Sequence, residues 1–279
     1  MDFGIKDKVA FVTAASKGIG KESALALARE GVHVAICSRN SKTIKETAEE
    51  IEKLGVTAYG FVADLSESGS RIKAYEEVIK NLGDIDILVN NVGGGGSSTS
   101  SGSILEQSIQ DYEIVLDLNF YTSIDLMKLA IPKMQEKKWG RVINIASIWG
   151  REYGGASSAY MTAKSALITI TKSTARKVIK DGVCVNSVAP GMIKNEGNGW
   201  DKLVKDNSKE FIDSFIEQNL PAGKFGTVEP IGATVTFLAS QQAGLISGAC
   251  INVDGCQTNS LIWEFRIIKL TKGEKWKYY

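Results

Sequence analysis

The chain holds a single histidine, His33, among its 279 residues. One histidine inside an apolar, strand-like run leaves neither a Ser-His-Asp hydrolase nor a histidine-ligated metal centre the parts it needs. Cysteine is nearly as scarce. Cys37, Cys184, Cys250 and Cys256 are scattered without Cys-x-x-Cys spacing, which argues against a thiolate zinc site and for small buried hydrophobes in a reduced, cytoplasmic setting. No metal site is expected. Charge of one sign is missing too: 33 basic residues against 32 acidic ones leave a formal net charge of +1, with no electrostatic signature of nucleic-acid or membrane binding. No uninterrupted apolar run approaches the ~18 residues of a membrane span. The opening Met1–Lys8 carries an acid early and lacks an apolar core, so no signal peptide is expected.

What the chain does have is alternation. Short apolar runs at 9–13, 32–37, 57–62, 85–89, 141–146, 183–188 and 249–253 read as strands. Helical patterns lie between them at 19–30, 42–54, 67–82, 158–180 and 229–240, with further helical segments inside 104–138. Short apolar strands alternating with helices predict a doubly wound parallel sheet, the α/β Rossmann arrangement of about seven strands with helices on both faces. Ligands are then expected at the carboxyl ends of the strands. There is no internal repeat and no linker, so residues 1–259 read as one domain. The Gly/Ser-rich stretch 93–102 directly follows a strand and reads as a loop beside the site. The polar, partly helical stretch 195–220 breaks the rhythm, and the segment 192–220 is a candidate lid. The aromatic and basic residues 260–279 form an extension without an assigned role.

Two patterns carry chemistry. Thr13-Ala-Ala-Ser-Lys-Gly-Ile-Gly20 lies after the first strand and opens the first helix. There Gly18 and Gly20 let backbone approach a pyrophosphate, and a helix N-terminus offers unpaired N–H groups. Ala14 stands where a first glycine is usual, so the turn needs a negative φ or some strain. The acid expected about 20 residues on to hold a ribose 2′-hydroxyl is absent; the chain reads Cys37-Ser-Arg-Asn40. Arg39 with Lys17 suits a 2′-phosphate instead, because guanidinium grips phosphate in a planar fork. NADPH is therefore expected over NADH. The second pattern is Tyr160-x-x-x-Lys164, with Ser147 thirteen residues upstream. On a helix the lysine lies one turn from the tyrosine, and its charge is expected to lower the phenol pKa towards neutrality. Tyr160 would then exchange a proton with a carbonyl or alcohol oxygen that Ser147 holds.

Together, Thr13-x-x-x-x-Gly18-Ile-Gly20, Asp64-Leu65, Asn90-Asn91-Val92-Gly93, Asn119, Ser147, Tyr160-x-x-x-Lys164 and Pro190-Gly191 resemble the short-chain dehydrogenase/reductase family, over nearly all of residues 6–258. The resemblance implies a catalytic tetrad of Asn119, Ser147, Tyr160 and Lys164, with Asn119 holding a water that links Lys164 to solvent. It implies cofactor contacts from Thr13, Ser16, Lys17, Gly18, Ile19 and Gly20 at the turn, and from Ser38, Arg39 and Asn40 after the second strand. Asp64 and Leu65 would meet the adenine, and Asn91 and Gly93 would line the ribose and nicotinamide. Lys164 and Tyr160 would meet the nicotinamide ribose, while Pro190, Gly191 and Ile193 flank the ring. Asn195 stands where a threonine near the carboxamide is common. Val9–Arg39 and Asn252-Val-Asp-Gly255 are most similar to the 3-oxoacyl-[acyl-carrier-protein] reductase group, although sugar dehydrogenases and general ketone reductases share these features.

Substrate choice is expected from 93–102, 148–155 and 192–220, with Trp149, Tyr153 and Trp200 as apolar walls and Arg151 meeting a carboxylate or phosphate. Lys133, Lys137, Lys138, Arg176, Lys177 and Lys180 could face an acidic carrier protein or simply be solvated. Ala156, Ala159, Ala163 and Ala166 recur at helical spacing, which suggests helix pairing in a homotetramer or homodimer, or close packing within one subunit. Three functions remain: an NADPH-dependent carbonyl reductase acting on small-molecule or acyl-thioester carbonyls, an NAD(P)-dependent sugar or polyol dehydrogenase, and a cofactor-binding regulator without turnover.

Overall fold

A computed structural model describes residues 2–95 and 103–260. The predicted strands form as β1 (Val9–Val12), β2 (His33–Ser38), β3 (Ala58–Val62), β4 (Ile87–Asn90), β5 (Gly140–Ile145), β6 (Val183–Pro190) and β7 (Cys250–Val253). All neighbours pair in parallel, in the order β3-β2-β1-β4-β5-β6-β7. The order reverses between β1 and β4, and such a switch point opens a crevice at the carboxyl edge of the sheet.

Side chains alternate along each strand, so both sheet faces are apolar. Val12, Val34, Ile36, Ile87 and Val89 pack with helices α1 (Gly18–Arg29), α2 (Ser41–Glu52) and α9 (Glu229–Ala239) through Leu27, Ile44, Ile51, Val235 and Leu238. Phe11, Ala35, Leu88 and Val142 face the other way. They meet α3 (Ser68–Leu82), α5 (Thr122–Glu136) and α6 (Ser158–Val178) through Val78, Leu126, Met134 and Val178. Burying each large side chain contributes roughly 1.5–3 kcal/mol. His33 opens β2, where its Nδ1 accepts the Thr57 N–H at 3.0 Å, a structural bond.

The helical stretch anticipated over 104–138 is divided. A Ser108–Asp111 capping box starts α4 (Ile109–Leu116), and a π-helical turn, Asp117–Tyr121, joins it to α5. The stretch 195–220 forms α7 (Gly199–Asp206) and α8 (Lys209–Asn219), each begun by a capping side chain, Asn198 and Ser208. Among the described residues no helix is long and apolar enough to cross a membrane. The tail 261–279 and loop positions 96–102 lie outside the described residues.

Candidate active site

A cavity of about 780 Å³ opens at the carboxyl edge of the sheet, within the size range of small-molecule and cofactor sites. One wall is the β1–α1 turn. Gly18 has φ +60 and lines the cavity with Ser16, Lys17 and Ile19. Helix α1 begins with no side-chain cap and no acid in its first turn, so its N-terminal N–H groups and dipole remain for an anion. Ala14 takes φ +51; of the two backbones the sequence allowed, the turn uses the left-handed one. Ser38, Arg39, Asn40, Asp64 and Leu65 form the far end. Lys17 and Arg39 are exposed, and neither forms a salt bridge among the described residues. Hydrogen bonds from Ser66 hold the Asp64 carboxyl below its ordinary range, and Arg39 adds to this. An uncapped helix end beside two free cations fits a pyrophosphate with an added phosphate.

Thr13 and Gly20 serve this wall from behind and do not border the cavity. The buried Thr13 hydroxyl accepts the N–H groups of Asn91 and Val92, each at 2.9 Å. Asn91 donates its amide to the carbonyls of Thr13 and Ala14, at 3.0 and 3.1 Å. A side chain at Gly20 would strike that amide and the Ala14 carbonyl, so the glycine permits close packing of turn on strand.

At the other end stand Ser147, Tyr160 and Lys164, with Asn91, Gly93, Pro190, Gly191 and Ile193 around them. The Ser157 hydroxyl caps α6 at the Tyr160 N–H, so the helix begins with the tyrosine in its first turn. Lys164 Nζ donates to the Ile145 carbonyl at 2.8 Å and lies 5.6 Å from the Tyr160 ring centre. The expected electrostatics differ here. Burial pushes the Tyr160 phenol up, with a Ser147 hydrogen bond pulling it back. Burial also pushes the Lys164 ammonium down to about 7. Desolvation disfavours both charged forms. Asn119 is fully buried in the π turn, behind the cavity surface. Its amide donates to the carbonyls of Gly94 and Val115, both at 2.8 Å, and its oxygen accepts the Gly94 N–H at 3.0 Å. The Asn119 side chain thus braces the Gly93–Gly94 wall.

The segment expected as a lid carries its own apolar cluster. Met192, Ile212, Leu220 and Phe225 are buried, with Trp149, Trp200 and Phe215 packed against them. Trp200 lies 5.9 Å from Phe225 and 6.1 Å from Phe215, centre to centre. Trp200 also lines the cavity beside Asn195 and Asn198, and Asn195 stands over Gly18 rather than only near a carboxamide. Tyr153 is 94% exposed and forms no wall. Arg151 is not free for substrate: it donates to the Asn252 side chain and the Cys250 carbonyl. Its neighbour Glu152 accepts the N–H groups of Asn259 and Ser260, at 2.9 and 2.7 Å. Among the described residues no cluster of three or more His, Cys, Asp or Glu could hold a metal ion.

A family model described as enoyl-(acyl carrier protein) reductase matches residues 13–258. The chain is 36% identical to the 3-oxoacyl-[acyl-carrier-protein] reductase FabG of Aquifex aeolicus over 256 residues, covering 91% of this chain and 99% of the relative. The chain belongs to the short-chain dehydrogenase/reductase family. Among solved structures, L-sorbose reductase from Gluconobacter frateurii, complexed with NADPH and L-sorbose, superposes with a TM-score of 0.86 at 30% identity, covering 94% of this chain and all of that one. A 3-oxoacyl (acyl-carrier-protein) reductase from Agrobacterium tumefaciens with NADP bound gives 0.83 at 28% identity, covering 91% and 95%.

Motif reading passed over residues that support or line the cleft. Gln107 has no pattern in sequence, yet its Oε1 accepts the Ala159 N–H at 3.0 Å and the Ser158 hydroxyl at 2.7 Å, fixing the start of the helix that carries Tyr160. Asn198, which lines the cleft, donates to the Ile193 carbonyl and to Asn195 at 2.7 and 2.8 Å, tying the start of α7 to the cavity wall at Ile193; its place as the cap of α7 was the available signal.

Proposed function

We propose that this protein is an NADP(H)-dependent oxidoreductase that interconverts a carbonyl and a secondary alcohol, with 3-oxoacyl thioesters as its leading substrate class. The observation that carries the reading is one cleft with Lys17 and Arg39 free at one end and Ser147, Tyr160 and Lys164 grouped at the other. Bound there, NADPH supplies the hydride. In this reading the Ser147 hydroxyl holds the carbonyl oxygen and the Tyr160 hydroxyl gives it a proton. Lys164, poised near pH 7, restores that proton, and Asn119 keeps the adjoining wall in place. A neutral Tyr160 suits reduction, in which the phenol must begin protonated.

The test is NADPH oxidation over a panel of an acetoacetyl thioester, simple ketones, diketones and aldoses. Tyr160→Phe is expected to lower turnover by at least about 100-fold while NADPH still binds. Activity that survives in the variant removes Tyr160 from the chemistry. A second reading, a sugar or polyol dehydrogenase, is favoured by the likeness to L-sorbose reductase; aldose or ketose turnover above thioester turnover selects it.

A cytoplasmic homotetramer or homodimer is part of the proposal, as is the division into a catalytic domain through residue 259 and an extension beyond it. The alanine stripe does not support the assembly. Ala159 and Ala163 are fully buried against Val115 of the same subunit. Nor does a free basic face for an acidic carrier emerge at the end of α5 and just beyond it, since Lys133, Lys137 and Lys138 pair with Glu136, with Asp84 and Asp86, and with Asp181.

A further inference from the structure

Arg71 is a buried cation that the proton chemistry does not use. It sits on α3, only 2% exposed, and its guanidinium faces several acceptors. Nε donates to the Leu65 carbonyl at 2.9 Å, and Nη1 to Asp125 at 2.9 Å. Nη2 donates to the Asp117 carboxylate and, at 3.5 Å each, reaches the carbonyls of Ser66 and Asp117. Thr122 adds a second link: its hydroxyl lies 3.1 Å from both the Leu65 and the Asp117 carbonyls.

These partners belong to two places. Leu65 and Ser66 follow Asp64 at the adenine end of the cleft. Asp117 opens the π turn whose third residue is Asn119. A π turn displaces one residue from the regular ladder and persists where its surroundings hold it. Arg71 and Thr122 hold this one by its first residue. Two positions on, Asn119 grips Gly94 from both sides, and a Cβ at Gly93 would sit 2.5 Å from Asn119 Oδ1 and 3.0 Å from Lys164 Nζ. One rigid fork therefore joins the loop beside the adenine to the wall beside Lys164.

We propose that Arg71 is a positioning residue that couples occupancy of the adenine end of the cleft to the placement of Asn119 and Lys164 at the reacting end. The coupling rests on the reductase reading above for its turnover readout. Cofactor whose adenine orders Asp64–Ser66 then also sets the π turn, so the full dinucleotide assembles the site better than its nicotinamide half does. A planar, five-donor guanidinium suits this task and lysine does not.

The test is a double-mutant cycle of Arg71→Met and Asp64→Ala, with Arg71→Lys alongside, read by thermal midpoint, NADPH affinity and kcat at saturating NADPH. Asp64→Ala alone is expected to lower kcat about fivefold, and Arg71→Met about tenfold. The double variant should be no slower than Arg71→Met, because neighbours within one network are non-additive. Arg71→Lys should fold, bind NADPH and recover only part of kcat; it carries the cycle if Arg71→Met does not fold. An unchanged kcat per folded molecule, or losses that multiply in the double variant, overturns the coupling. Tyr160→Phe in the same series separates the two ideas. Turnover that survives there overturns the reductase site, whereas turnover lost there with kcat intact in Arg71→Met overturns only the coupling. The emission of bound NADPH gives the same cycle without turnover: Arg71→Met should shift it, and Asp64→Ala in that background should shift it no further.

Discussion

Lys164 is 3% exposed, and its charge is the least hydrated in the cleft. Burial holds it at about 7 against an ordinary 10.5, so between these values the unfolded chain binds more protons than the folded one. Folding stability must then rise with pH from about 7, with a ceiling of ~1.4 kcal/mol per pH unit. Below 7 both states are protonated and the full penalty applies. Above about 9 the slope is opposed by Cys37, whose thiol burial pushes up to about 12. Urea unfolding of the wild type and Lys164→Met across pH 7–9 checks this. The wild type should gain stability relative to the variant, and parallel curves would show that Lys164 is charged in the fold. The residue scale is also where the sequence was least legible. Tyr160, Lys164 and Ser147 could be named from spacing, but the direction of their electrostatics depends on burial, which spacing does not encode. Thr13 and Gly20 were identifiable as members of a turn, not as its rear support. Arg71 had no signal at all, because its partners are up to 54 residues away.

At the scale of elements, strands were readable because each is a short apolar run, the inner ones buried on both faces, and their ends fall within about two residues of the expected ones. The stretch 104–138 was less so. The capping box at Ser108 is a local signal, whereas the π turn at Asp117–Tyr121 is held by Arg71 and Thr122 from outside. The candidate lid was read as polar and partly helical, which α7 and α8 match; what the pattern did not show is the small core they share with Trp149, just beyond Ser147. That core should govern substrate capture more than chemistry. Phe225→Ala, which empties a site now 8% exposed, is expected to raise KM for the carbonyl about tenfold while kcat changes little. Steady-state kinetics at saturating NADPH checks it; a kcat loss with KM unchanged would place the lid's role after binding.

For the whole molecule, ligand linkage is the simplest reporter. At a hundredfold excess over its Kd, NADPH should stabilise the fold by ~2.7 kcal/mol, a rise in melting temperature of roughly 5–10 °C for a chain this size. NADH at the same concentration should give less, and Arg39→Asp should remove the difference. Equal shifts in the wild type would leave the 2′-phosphate reading without support. The parallel sheet, the cleft at the carboxyl ends of its strands and the family followed from alternation and ordered motifs; the order of the strands did not. What did not follow was which surfaces are already used. Lys137, Lys138, Ala159 and Ala163 looked available in sequence, and neighbours far along the chain meet them: Asp84 with Asp86, Asp181, and Val115.

Glu152 has a practical consequence for anyone handling the protein. It accepts from Asn259 and Ser260 next to the turn that follows Ser147. A shortened version made for expression should therefore end no earlier than Ser260, because a cut before Asn259 strips that carboxylate of its donors beside that turn.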